Sequence, residues 1–207
     1  MIDPTIFWTY VLIVLGFVFI PGPATLMAVA RATSSGTRAG IATACGIAVG
    51  DIIHTCLAII GLSAIVLASS FLFTLVKIAG AAYLVYLGLC ALFAKVDVTP
   101  GEVVPLTAQA ALRQAITAEL LNPKTALFFV AFLPQFVAPE NGYVALQLAV
   151  FGSILVGLGF LSTMTFALTA GGLGSRLRNN LVFQRWQNRI VGSIYCALGL
   201  RLALQER

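Results

Sequence analysis

Asp51 and His54 stand one helical turn apart inside a long apolar stretch, so on a helix their side chains share a face. A charge near the centre of a bilayer costs about 2.5–3.5 kcal/mol even on the lenient insertion scale, so an acid at that depth must face protein or water and is functional by default. An acid and an imidazole that burial and mutual contact can tune are suited to carrying protons. The bland alternative is a hydrogen-bonded pair that only ties its helix to its neighbours.

Prolines mark a second set of residues. Pro21-Gly22-Pro23 lies deep inside an apolar segment running from Ile6 to about Val29, and Asn122-Pro123-Lys124 lies inside another, with Pro134 further along. Proline has no N–H to give a helical ladder and its ring clashes with the preceding turn, so a helix must kink or break at each site. The carbonyls so freed need partners. In lipid an unpaired backbone group is costly, and such a break survives only where protein buries it or a wet cavity borders it. Broken helices are also where transporters build substrate and ion sites. A kink that merely shapes packing is the competing reading. Lys124, with Glu119 about one turn nearer the cytoplasm, can cap the broken helix, meet an anionic group or snorkel outward. Tyr83 and Tyr86, one turn apart on a third segment, can line a path or serve as an interhelical bond or interface anchor, and Lys77 lies where snorkelling suffices.

The composition says what must position these groups. Hydrophobic residues make up 60% of the 207 and charged residues 9%, which sets soluble classes aside in favour of a polytopic membrane protein. The net charge of +5 comes from basic residues in short loops between apolar runs, making no basic face, so no nucleic-acid partner is expected. Cys45, Cys56, Cys90 and Cys196 lie inside apolar segments without a C-x-x-C, which reads as small packing residues, with no disulfide, metal site or cofactor. No positive stretch or small-residue cleavage site accompanies the first segment, so it is expected to be a retained span.

Apolar stretches at about 6–29, 41–66, 71–94, 115–138, 143–172 and 190–205 are long enough to cross a ~30 Å core, the last only marginally. Six spans are predicted. Arg31 and Arg38 follow the first, Lys95 and Arg113 the third, and Arg176, Arg178, Arg185 and Arg189 the fifth, whereas the loops after the second and fourth carry no Lys or Arg. The positive-inside rule therefore puts Arg38 and Arg178 in the cytoplasm and both termini outside, against which only Arg201 and Arg207 speak. Residues 96–111 read as a cytoplasmic linker between a three-helix repeat over 1–95 and a second over 112–207. Three is odd, so the repeats must be inverted. An echo supports the duplication: the stretches opening at Lys77 and at Arg189 both read basic, Ile, x, Gly, x, x, Tyr. The expected fold is all-α, six transmembrane helices as two inverted repeats, the first helix of each broken by proline. The pairs Gly36/Gly40 and Gly46/Gly50 would let span two approach a neighbour closely, with intrachain packing preferred over a second protomer. A homo-oligomer stays open.

Pro21-Gly22-Pro23, then Gly36-x-x-x-Gly40, Gly46-x-x-x-Gly50-Asp51, Lys77-x-x-Gly80-x-x-Tyr83-Leu84-x-Tyr86-Leu87-Gly88, Asn122-Pro123-Lys124 and Leu133-Pro134-Gln135-Phe136 follow one another almost end to end. In that order and spacing the chain resembles the LysE/RhtB family of amino-acid exporters. The resemblance implies a multi-pass protein of the bacterial inner membrane that sends amino acids or close derivatives outward, driven by the proton gradient. Ala24 departs from the Asn common at that position, which removes an amide from the substrate region.

The residues thus point to a secondary exporter of a small zwitterion, with Pro21, Gly22, Pro23, Asp51, His54, Tyr83, Asn122, Pro123 and Lys124 as candidate translocation residues. A thiol-redox membrane protein would need facing cysteines, and a metal-ion transporter more ligands than Asp51 and His54 offer. A passive channel would show no steep dependence on the pH gradient. One histidine without an adjacent nucleophile makes no catalytic triad, so no enzyme is expected.

Overall fold

The computed structural model describes residues 2–19, 21–68, 70–93, 104–170 and 181–204. Among these it is helical, without a strand: α1 (Pro4–Val18), α2 (Pro23–Ser35), α3 (Thr37–Ala68), α4 (Ser70–Leu92), α5 (Ala108–Leu120), α6 (Pro123–Phe132), α7 (Val144–Leu168) and α8 (Leu181–Leu204). Half of the expected linker, residues 96–103, together with Arg176, Arg178 and Arg207, lies outside the described residues. Helix α5 begins at Ala108, four residues inside the stretch read from sequence as linker, because the Thr107 hydroxyl accepts the Ala110 N–H and caps it there.

The remaining ends follow from local chemistry. Asp3 opens α1 by accepting N–H groups from Thr5 at 2.7 Å and Ile6 at 3.3 Å, which hold its carboxyl below the usual value, and Pro4 takes the first helical position. Gly36 lies at φ +88° between α2 and α3, a left-handed conformation that favours glycine. It is therefore the turn itself and not part of a packing pair with Gly40. Before α7, Gln147 accepts the Ala138 N–H and donates to the carbonyls of Ala138 and Gly142, folding the preceding loop back on its helix.

Two clusters hold the helices together. Tyr10, Phe128, Phe132, Phe136, Phe151 and Tyr195 join α1, α6, α7 and α8, with the Tyr10 ring 4.6 Å from that of Phe151 and its hydroxyl donating to the Phe151 carbonyl at 2.6 Å. Ala28, Ile47, Ala115 and Ala167 bring α2, α3, α5 and α7 together through small side chains. The close approaches expected of Gly46 and Gly50 are to α5: a Cβ at Gly46 would lie 2.6 Å from the Leu112 carbonyl oxygen, and one at Gly50 2.6 Å from Glu119 Cβ.

These contacts fix the helix directions. Helices α1 and α7 run parallel, since Tyr10 meets Phe151 and Val18 meets Ser162. Helices α3 and α5 also run parallel, and α4 and α8 are antiparallel, with Gly88 against Gly192 and Gly199 against Ala81. Outward, Trp8, Leu12, Ile60, Phe71, Leu161 and Leu200 stand exposed, a surface suited to lipid and not to water. By length and apolarity α3 over Thr37–Ala64 and α7 qualify as membrane-crossing helices, while Pro4–Val18 and Ile78–Leu92 are shorter apolar helices.

Candidate functional site

The two proline motifs are helix breaks of the same backbone design. Gly22 and Asn122 precede α2 and α6, each followed by proline at the first helical position, and their carbonyls accept the first intrahelical bonds from Leu26 at 2.9 Å and Ala126 at 3.2 Å. Proline is tolerated there because that N–H has no helical partner in any case. The cost falls upstream. Carbonyls at the ends of α1 and α5 lose the donors that an unbroken helix would supply.

At the first break the Val18 carbonyl accepts a hydrogen bond from the Ser162 hydroxyl of α7 at 2.6 Å. Pro21 is buried, and Gly22, half-buried, sits in extended backbone at φ −82°, ψ −176° with nothing within 4 Å of where a Cβ would point. Glycine is thus demanded there neither by backbone angle nor by a crowding neighbour. It leaves open space beside the break.

At the second break the Glu119 carbonyl, whose partner in a continuous helix would be residue 123, faces a proline with no N–H. It accepts instead from the Asn122 N–H at 3.2 Å and from His54 Nε2 of α3 at 3.0 Å. His54 is 5% exposed, its ring stacked 5.9 Å from that of Phe129. A carbonyl only accepts, so Nε2 carries the proton of this bond and only Nδ1 is left to exchange one.

Asp51, one turn before His54 on α3, is half-buried, and its carbonyl accepts the Thr55 hydroxyl at 2.8 Å. The Glu119 side chain crosses Gly50, the residue before Asp51, with its Cβ 2.6 Å and its Cγ 2.8 Å from where a Cβ on Gly50 would lie. Among the described residues no hydrogen bond or ion pair engages either carboxylate. The side chains of Pro23, Lys77, Pro123 and Lys124 lie outside the described part.

The structure therefore brings Asp51 and His54 to the second break. Tyr83, half-buried on α4, packs on the aromatic cluster with its ring 6.1 Å from that of Tyr86. An apolar groove of about 350 Å³ between α3 and α7, lined by residues including Ile52, Cys56, Ser153 and Gly157, contains none of the expected site residues. Ser162 escaped the sequence reading. Its signal was there, in adjacent hydroxyls at Ser162 and Thr163 within an otherwise apolar helix that must find partners for them. Among the described residues no group of three His, Cys, Asp or Glu is placed to hold a metal ion.

The family model described as LysE type translocator matches residues 15–206. Similar proteins include a membrane protein of Vibrio cholerae, 32% identical over 97% of this chain and 98% of its own length. A membrane protein of Pseudomonas aeruginosa is 31% identical over 96% of this chain and 95% of its own. The leucine efflux protein of Salmonella typhimurium is 28% identical over 95% of this chain and 94% of its own. No solved structure matches the chain.

Proposed function

This chain belongs to the LysE type translocator family, which makes it a membrane transporter and not an enzyme, and from that premise we propose that it exports an amino acid or close derivative across the bacterial inner membrane in exchange for protons. The substrate class draws support from the leucine efflux relative. The observation that carries the reading is the reciprocal capping of the two breaks. Each freed carbonyl is met by a polar side chain from the long apolar helix of the other half, Ser162 for the first and His54 for the second.

That reciprocity is what two inverted three-helix repeats would produce. The parallel pairing of α1 with α7 corresponds to that of α5 with α3, and the antiparallel pair α4 and α8 maps onto itself. On this reading α1/α2, α3, α4, α5/α6, α7 and α8 are six spans, and Pro21, Gly22, Pro23, Asn122, Pro123 and Lys124 border one central path. The loop arginines orient it with both termini outside; labelling of a cysteine at position 38 by an impermeant reagent applied to intact cells would contradict that orientation.

Asp51 is the coupling group in this scheme, because a half-buried carboxylate without a described partner beside a broken helix is the acid best placed to take up and release protons. The test is efflux from vesicles loaded with a mixture of amino acids under an imposed pH gradient, read by mass. One or a few amino acids should leave against their gradient when protons can enter in exchange. Equal leakage of all, unaffected by the pH gradient, would mean a passive pore.

A further inference from the structure

We infer that α2 is a hinged gate, latched shut by the grip of Arg31 and Ser35 on the segment Val104-Pro105-Leu106. This rests on the export reading above for what the gate admits, and goes beyond it by naming the element that moves and the contact that holds it. Arg31 Nη1 donates to the Val104 carbonyl at 2.6 Å, Arg31 Nη2 donates to Gln114 Oε1 of α5 at 2.7 Å, and the Ser35 hydroxyl accepts the Leu106 N–H at 3.0 Å. Arg31 and Ser35 lie one turn apart on one face of α2, and they hold the peptide groups on either side of Pro105. Proline has no N–H and disfavours helix in the residue before it, so this segment stays non-helical ahead of α5 and leaves a carbonyl and an N–H for α2 to take.

Both ends of α2 can turn. Gly22 before it and Gly36 after it each have nothing within 4 Å of where a Cβ would point, and hinges are commonly such element-terminal positions. With Gly22 as the pivot, the change of angle against α3 is absorbed at Gly36, and the latch acts far from the pivot, about 14 Å along the helix to Arg31. No residue of α2 belongs to the aromatic cluster that joins α1, α6, α7 and α8. It packs instead through Ala24, Met27, Ala28 and Ala32 on the cluster of Ile47, Ala115 and Ala167, and Gly40 of α3 lets Ala28 and Ala32 lie flat against it. Small side chains bury little area and interlock little, so α2 is held less firmly than the helices of the aromatic cluster, and the latch supplies the remaining hold.

On the proposed orientation the arginine end of α2 is cytoplasmic and its other end adjoins the first break. With the latch made, Thr25 in the first turn of α2 is 6% exposed. With the latch released, α2 tilts and opens a cytoplasmic way to the space beside Gly22, where an outgoing substrate enters. Both Arg31 bonds lie at the exposed edge of the molecule, where water can take the place of either partner, so the latch opens reversibly.

The experiment uses the full chain with Cys45, Cys56, Cys90 and Cys196 replaced by alanine and Thr25→Cys added, in inside-out membrane vesicles. The rate at which a charged, impermeant maleimide applied to the cytoplasmic face labels position 25 is compared with and without Arg31→Ala. Arg31→Ala should raise the rate about tenfold, the scale of one lost charge-assisted hydrogen bond. A cysteine placed instead at Ala58, 2% exposed within the aromatic cluster, should stay slow in both. Equal rates at position 25 overturn the latch. So does a matching rise at position 58, which would mean general loosening, or a rise seen only when the reagent is applied from the opposite face. Should Arg31→Ala not accumulate in the membrane, Ser35→Ala decides, with a severalfold rise at position 25 supporting the latch and an unchanged rate overturning it. No substrate or pH gradient enters these readings, so wild type that fails to export against a gradient defeats the functional reading alone, and unchanged labelling in a chain that exports defeats the latch alone.

Discussion

At the first break a serine hydroxyl from α7 meets the Val18 carbonyl and the space beside Gly22 stands open, whereas at the second a histidine from α3 meets the Glu119 carbonyl and the Glu119 side chain crowds against Gly50. The backbone problem is the same in both, a carbonyl stripped of its helical donor. The side chains that answer it differ in kind. The hydroxyl at the first break is not an ionisable group under physiological conditions, whereas an imidazole and two carboxyl side chains belong to the second. On the proposed reading this asymmetry divides the labour of one duplicated design, with room for substrate at the first break and protons at the second.

The contrast can be broken by substitution, and the largest stability effect is expected at His54. His54→Ala removes the donor to a buried carbonyl and the ring stacked on Phe129 together, and should cost about 3 kcal/mol. His54→Gln, which can still donate, should recover part of it. Unfolding in mixed detergent micelles would measure both, and equal losses in the two would show that the hydrogen bond contributes nothing.

Gly50→Ala comes next at about 2 kcal/mol, because its methyl would lie 2.6 Å from Glu119 Cβ and 2.8 Å from Cγ, and α3 or α5 must shift. Ser162→Ala should cost about 1 kcal/mol, the usual scale for a single interhelical hydrogen bond in a bilayer. The smallest effect is expected from Gly22→Ala, within about 0.5 kcal/mol, since the new methyl meets nothing within 4 Å. A thermal shift for Gly22→Ala as large as for Gly50→Ala would erase the distinction between an open first break and a crowded second. Slowed export by Gly22→Ala at unchanged stability would sharpen it.

The positions of both breaks were legible in the sequence because proline acts through covalent geometry, whatever surrounds it. The shared face of Asp51 and His54 was legible for a similar reason, since helical period alone sets it. The close approach by Gly46 and Gly50 was readable as a property of α3, although the partner, α5, was not. Partners across helices depend on packing, and α3 and α7 are apolar nearly all round, so periodicity says little about which side faces which neighbour. That is why Ser162 went unnoticed, and why the approach of Glu119 to Gly50 could not be read from the pattern. Gly36 was misread as a packing residue because its left-handed backbone is invisible to a small-residue pattern.

The measurement that bears most directly on the account is paired transport by Asp51→Asn in sealed vesicles: exchange of labelled substrate at equal pH on both sides, and accumulation against a gradient when a pH difference is imposed. Asparagine keeps the size and hydrogen-bonding capacity of the residue and removes only its titration. The account predicts that exchange persists while pH-driven accumulation disappears, which would place the proton at the second break. Normal accumulation by Asp51→Asn would contradict it and put the coupling proton elsewhere in the molecule.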